Sequence, residues 1–230
     1  ARARLLWVNS PGNPAGGLDD LGAVASWARE RGIIVCSDEC YLEYTWSGGP
    51  AGEDRLPAST VLSSGGEGLL ALHSLSKRSN LAGGRVGCYA GDAQLVAALG
   101  ERRRELGLVV PGPMQAAAVA AWCDQSHVAE QRNRYRHRLE VLAESVRQAG
   151  LADVELPAGG FYLWAKVGGD DRAAAARLAA AGVLVQPGIL YGPDGAGRIR
   201  LAAVRPDDEI VEAARRIAAL ADGAALVRGG

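Results

Sequence analysis

Lysine is nearly missing from this 230-residue chain: of its 25 basic residues only Lys77 and Lys166 are lysine, and the rest are arginine. An excess of either charge is missing too, since 25 basic residues face 26 acidic ones. That balance supplies no global field for nucleic acid or an anionic membrane. No apolar run approaches the roughly 18 residues of a membrane span, and no signal-peptide core follows the N-terminal Ala-Arg-Ala-Arg. A cytoplasmic protein is the expectation. There is no internal repeat, no low-complexity tract beyond alanine enrichment, and no glycine fingerprint opening a dinucleotide fold. Disulfides are not needed either, because a chain of this length buries roughly 70% of the surface its unfolded form exposes. Cys36, Cys40, Cys88 and Cys123 therefore read as small buried hydrophobes in a reducing compartment.

What is present is apolar periodicity with turn punctuation. Leu5 to Val8 is a short strand feeding the turn-rich segment Asn9 to Gly17. Asp19 and Asp20 open a helix with Leu21, Val24, Ala25 and Ala28 on one face, ending at Gly32, and Ile33 to Ser37 is a second strand. Leu69 to His73 and Val86 to Ala90 predict further strands. Asp92 caps a helix to about Leu106, followed by helices from about Pro113 to Asp124 and His127 to Ala149. Beyond Gly150 the pattern changes to strands at Val154–Leu156, Phe161–Val167, Val183–Gln186 and Ile199–Ala203. Helices at Asp171–Ala181 and Pro206–Ala221 accompany them, and the last residues, ending Arg228-Gly229-Gly230, are expected to fray. The expected domains are 1–149, α/β with a mostly parallel sheet and a long closing helix, and 150–230, a smaller α+β unit. Arg132, Arg134, Arg136 and Arg138 spread around the long helix and read as solvated, as do His127 and His137.

In an arginine-rich background a lysine invites a chemical reason. Guanidinium can replace ammonium as a solvated cation, but it cannot form an imine with a carbonyl or shuttle a proton near neutral pH. Lys77 lies in one of three short segments at strand ends, where open α/β sheets place their ligands. The segments are Asn9 to Gly16, Asp38-Glu39-Cys40-Tyr41, and Ser74-Leu75-Ser76-Lys77 with Arg85 eight residues on. Singly, each is ordinary turn or cap chemistry. Together they supply an amide, a carboxylate, a phenol, two hydroxyls, an amine and a guanidinium, one group for each role a pyridoxal phosphate site requires.

These segments resemble the motifs of the class I/II aminotransferases of pyridoxal-phosphate fold-type I. Asn9 to Gly16 matches Asn-x-x-x-Asn-Pro-(Thr)-Gly, with Ala15 in place of threonine. Asp38 and Tyr41 match Asp-x-x-Tyr. Ser74, Ser76 and Lys77 match Ser-x-Ser-Lys, and Gly83, Arg85 and Gly87 match Gly-x-Arg-x-Gly. Arg200, in Arg198-Ile199-Arg200-Leu201, matches the carboxylate-binding arginine. The resemblance implies Lys77 as Schiff-base lysine and proton carrier, Asp38 as partner of the pyridinium nitrogen, and Tyr41 and Asn13 as donors to the ring oxygen. It implies Ser74, Ser76 and Arg85 as the phosphate grip, and Asn13 and Arg200 as substrate-binding. It further implies a cofactor, pyridoxal 5′-phosphate, amino-acid and keto-acid substrates, and a homodimer at full length. Ser76 to Gly83, Phe161 to Trp164 and Pro187 to Pro193 are most similar to actinobacterial succinyldiaminopimelate aminotransferases of lysine biosynthesis. Similar chains carry a substantial stretch before the Asn-Pro loop, so this chain alone is expected to expose an apolar sheet edge and to be poorly active.

Other readings fit less well. Ser74 to Lys77 also satisfies the Ser-x-x-Lys of penicillin-binding proteins, yet Ser79-Asn80 is too near to supply that family's middle motif. Tyr162 and Lys166 echo a Tyr-x-x-x-Lys pair, but Lys166 reads as a strand-end surface residue. Cys36, Asp38, Glu39, Cys40 and His73 lack a second ligand pair at zinc spacing. Within the family, aspartate-, aromatic- or alanine-type transfer and carbon–sulfur lyase chemistry stay open. A non-catalytic ligand-sensing domain of a regulator is the reading from another class.

Overall fold

The computed structural model describes residues 2–46, 60–150 and 152–221, and the Arg228-Gly229-Gly230 tail lies outside them. By packing the chain forms two units, residues 1–12 with 17–131, and 13–16 with 132–230.

The first unit is built on a four-stranded sheet. β1 (Leu5–Asn9), β2 (Ile34–Asp38) and β3 (Leu69–Ser74) run parallel, and β4 (Gly87–Gly91) closes the order β1-β2-β3-β4 antiparallel to β3. Between β1 and β2, α1 (Leu21–Arg29) starts where the Asp20 carboxylate accepts the Ala23 N–H at 2.9 Å. Leu21, Ala25 and Ala28 recur at helical spacing and bury against Val35, Leu69 and Ala71, so α1 covers one sheet face. On β1, Leu5 and Trp7 are more than half exposed, and the outer edge of that strand is unpaired among the described residues. Ser74 ends β3 and caps the one-turn helix α2 (Leu75–Arg78) by accepting the Ser76 N–H at 3.2 Å. Asp92 caps α3 (Ala93–Glu105) through Gln94 and Leu95, and its second oxygen accepts the Gly68 N–H. α4 (Gly112–Cys123) packs Ala118 against Leu75 and Val86.

α5 (Ser126–Gln148) begins in the first unit and continues in the second. The second unit holds β5 (Ala152–Asp153), β6 (Tyr162–Val167), α6 (Asp171–Ala180), β7 (Gln186–Pro187), β8 (Arg198–Ala202) and α7 (Asp207–Ala218). Its sheet is antiparallel in the order β5-β6-β8-β7. The two-residue period of a strand sorts β6 and β8 cleanly: Leu163, Ala165, Ile199 and Leu201 are buried on one face, while Tyr162, Trp164, Lys166, Arg198 and Arg200 occupy the other.

Several expectations need correction. Of the expected strands Val154–Leu156 and Val183–Gln186 only Gln186 pairs; the ladders fall on Ala152–Asp153 and Gln186–Pro187, and Val154 is buried and Leu184 exposed outside them, since a short apolar run does not say whether it pairs. Only Cys36 of the four cysteines is buried, and Cys123 is exposed. Arg138 is not solvated: it is buried and donates to Asp207 at 2.5 Å. His127 bridges two elements, with Nδ1 2.8 Å from Asp124 Oδ2 and Nε2 2.9 Å from Ser79 Oγ.

Candidate active site

In the first unit the chemistry gathers at the carboxyl ends of the parallel strands. Asn9 and Asp38 are register partners at the ends of β1 and β2, and the Asn9 side-chain amide donates to the Asp38 carbonyl at 3.1 Å. That bond ties the two strand ends together and leaves the Asp38 carboxylate, half-buried, to accept the Cys40 N–H at 3.1 Å. The chain then turns sharply and buries Tyr41. Lys77, on α2 beyond the end of β3, places its Nζ 5.8 Å from the centre of the Tyr41 ring. Burial, reinforced by the Asp38 carboxylate, pushes the Cys40 thiol up to about 12, while the Lys77 ammonium pulls the other way. Lys77 thus stands against Tyr41, and Tyr41 follows three residues after Asp38 at the end of β2.

Residues without a sequence motif hold this cluster. The Tyr44 hydroxyl, fully buried, donates to the carbonyls of Lys77 and Arg78 at 3.1 and 3.0 Å. Arg78 is buried beneath Lys77 and donates to Glu43, to the Ala121 and Asp124 carbonyls at the end of α4, and to Gln125. Glu39, also buried, accepts the Val61 N–H at 2.8 Å and lies 3.6 Å from His73. No local pattern marks them, since each acts through partners distant in sequence.

The residues expected to grip the phosphate all lie in the first unit. Ser74 serves as the α2 cap, Ser76 is half-buried on that helix, and Arg85, at φ +50°, donates to its own turn at Ala82 O. A groove of about 740 Å³ includes Asp38, Cys40 and Arg85 in its wall, together with the apolar Leu72, Val109 and Trp122, but neither Lys77 nor Tyr41.

The second unit carries the other two expected residues. Arg200 donates from Nη1 to Asn13 Oδ1 at 3.0 Å. Asn13 opens a turn ending at Gly16, whose carbonyl accepts the Gly159 N–H at 2.8 Å; a Cβ at Gly16 would meet Gly159 O and Pro157 at 2.5 Å. The Arg200 guanidinium lies 4.2 Å from the Tyr162 ring centre and 5.4 Å from that of Tyr191.

The family model for aminotransferase class I and II matches residues 1–217. The chain belongs to the class I and II aminotransferases. It is 43% identical over 217 residues to a 4-dedimethylamino-4-oxo-anhydrotetracycline transaminase of Streptomyces rimosus, an alignment spanning 93% of this chain and 59% of that protein. It is 32% identical to an LL-diaminopimelate aminotransferase of Dehalococcoides mccartyi, over 95% of this chain and 56% of that protein. Among solved structures, an aminotransferase from Neisseria meningitidis superposes with a TM-score of 0.82 at 35% identity, covering 95% of this chain and 58% of that one. The chain therefore spans little more than half the length of the relatives it matches.

Members of this aminotransferase class depend on pyridoxal phosphate. The donor set of the first unit fits that group: an amine that can bond the aldehyde, and a carboxylate at a neighbouring strand end suited to a protonated ring nitrogen.

Proposed function

We propose that the protein transfers an amino group between glutamate and a keto acid, with Lys77 as the reactive amine. The observation that carries this is the placement of Lys77 just beyond the end of β3, its Nζ 5.8 Å from the centre of the Tyr41 ring, with Asp38 at the end of the neighbouring strand β2. Pyridoxal phosphate, when bound, supplies the electron sink that makes the substrate α-proton removable. Lys77 would hold the cofactor and, once displaced by the substrate amine, carry the proton from the α-carbon at its Nζ. Asp38 would accept the ring N–H and keep the nitrogen protonated, and Tyr41 and Asn13 would donate to the ring oxygen. Ser74, Ser76 and Arg85 would hold the phosphate, Arg85 after turning from its bond to Ala82 O. Arg200 would receive the substrate α-carboxylate in its planar fork.

The finer proposal is the keto acid N-succinyl-2-amino-6-ketopimelate of lysine biosynthesis. It is supported by the subfamily similarity of Ser76–Gly83, Phe161–Trp164 and Pro187–Pro193, and by the diaminopimelate-acting relative. A cytoplasmic homodimer is the proposed setting; no helix among the described residues is long and apolar enough to cross a membrane.

A panel of keto acids assayed with glutamate as donor tests the substrate, and Arg200→Lys tests the carboxylate site. Replacing the fork by a point charge should lower kcat/KM for both substrates about 10- to 100-fold, mainly through KM, and leave cofactor affinity within about threefold. Unchanged KM for both substrates would remove Arg200 from this role.

A further inference from the structure

The segment from Gly188 to Gly195 is held more firmly than a surface turn requires. A Cβ at Gly188 would lie 2.0 Å from Gly195 O, 2.8 Å from Arg198 O and 2.9 Å from the Trp164 ring, and one at Gly195 would lie 2.1 Å from Gly188 O. Both glycines are imposed by contact, so the two ends of the loop touch. Asp171, buried at the start of α6, accepts the Ile189 N–H at 2.7 Å and anchors the entry to the loop. The Tyr191 hydroxyl donates to Gln186, the register partner of Arg200. Burial raises the Tyr191 pKa, so the phenol keeps the proton that this bond uses.

All of these restraints fix one ring. Tyr191 meets Trp164 edge-on, with centroids 5.5 Å apart and planes at 81°, and presents its ring 5.4 Å from the Arg200 guanidinium carbon. Tyr162 presents a second ring at 4.2 Å. Arg200 Nη1 is engaged by Asn13, while its Nε is buried with no hydrogen-bond partner among the described residues. The inner end of the guanidinium is therefore held by aromatic rings and not by acceptors. Contact with rings restrains a long, rotamer-rich side chain without itself consuming an N–H donor.

We propose that Tyr191 is a positioning residue for Arg200: the closed Gly188–Gly195 loop delivers its ring against the guanidinium, which is thereby held ready for a carboxylate. This rests on the reading of Arg200 as the carboxylate-binding residue.

The test uses this chain with Tyr191→Phe, which keeps the ring, and Tyr191→Leu and Tyr191→Met, which keep bulk without a ring. Two readouts are taken: the ¹⁵N order parameter of Arg200 Nε, and the affinity for 2-oxoglutarate from an NMR titration. The Ile189 amide shift reports whether the Asp171 anchor survives, and the ringless variant that preserves it is the one compared. Tyr191→Phe should stay within about twofold of the parent in affinity, with Nε equally ordered. The ringless variant should lower the Nε order parameter below about 0.6 and weaken 2-oxoglutarate binding about 5- to 20-fold. Retained order and affinity in the ringless variant, or equal losses in Phe and ringless variants, would overturn the proposal alone. If Arg200→Lys leaves 2-oxoglutarate affinity unchanged, or the parent does not bind it, the carboxylate reading fails and takes this proposal with it.

Discussion

Replacing Arg78 by methionine should destabilise the first unit by about 3–5 kcal/mol, far more than any single ion pair on its surface contributes. Arg78 is 4% exposed, and its guanidinium makes four hydrogen bonds: 3.1 Å to Glu43, 2.6 Å to Ala121 O, 3.3 Å to Asp124 O and 2.9 Å to Gln125. At about 1.5–3 kcal/mol for each charged hydrogen bond, a simple sum would reach about 6–12 kcal/mol. That sum overstates the loss, because methionine removes a buried charge along with its partners and the freed carbonyls at the end of α4 can recruit water. Breaking a buried charged network by deleting one partner gives the lower figure. Glu43 supplies the contrast. Its side chain is a third exposed, and Glu43→Gln keeps an acceptor for Arg78, so about 1 kcal/mol or less is expected.

The assay is native-state hydrogen exchange of the β2, β3 and α4 amides, which reads the unit without assuming that both units unfold together. Arg78→Met should accelerate exchange of the slowest of these amides by roughly two to three and a half decades, and Glu43→Gln by less than one. An Arg78→Met effect no larger than that of Glu43→Gln would refute the reasoning. It would mean that the α4 carbonyls do not depend on the guanidinium and that Lys77 is not anchored through its neighbour.

Three further outcomes concern Cys40 and Gly91. With its thiol raised to about 12 by burial and the Asp38 carboxylate, Cys40 exposes a thiolate fraction of only about one in 10⁴ at pH 8, so iodoacetamide should label exposed Cys123 well before Cys40 under native conditions. Because the folded value lies above the unfolded 9.0, the unfolded chain loses this proton first, so Cys40's contribution to stability is complete below pH 9 and declines between about pH 9 and 12; Cys40→Ala should flatten that decline in a pH series of urea melts. Gly91→Ala places a Cβ 2.0 Å from Leu69 O at a backbone φ of +142°, and should cost about 2 kcal/mol or more, read as faster exchange of the β3–β4 ladder amides. A substitution tolerated without change there would show that β4 does not press on β3 as described.

What the sequence disclosed was local. Helix starts at Asp20 and Asp92 were legible because a cap acts on amides two or three residues away. The cluster at the strand ends was legible because parallel strands carry their successors to the same edge. Hidden features depend on partners far along the chain. Arg78 reads as a surface cation beside Lys77 until α4 arrives some forty residues later to bury it. Tyr191 reads as a turn aromatic until the pairing of β7 with β8 brings it over Arg200. Leu184 is 89% exposed although its neighbours spell a strand, because a short apolar run does not say whether it pairs.

The scarcity of lysine makes the central claim directly measurable. Incubating the protein with pyridoxal phosphate, reducing with borohydride and mapping peptides by mass spectrometry offers two lysines for modification, Lys77 beside Tyr41 and the exposed Lys166 on β6. The account predicts the pyridoxyl group on Lys77 in large excess over Lys166 and the terminal amine, with loss of the excess in Lys77→Ala and in Asp38→Ala. Equal labelling of Lys77 and Lys166, or labelling of Lys77 that is indifferent to Asp38, would contradict it.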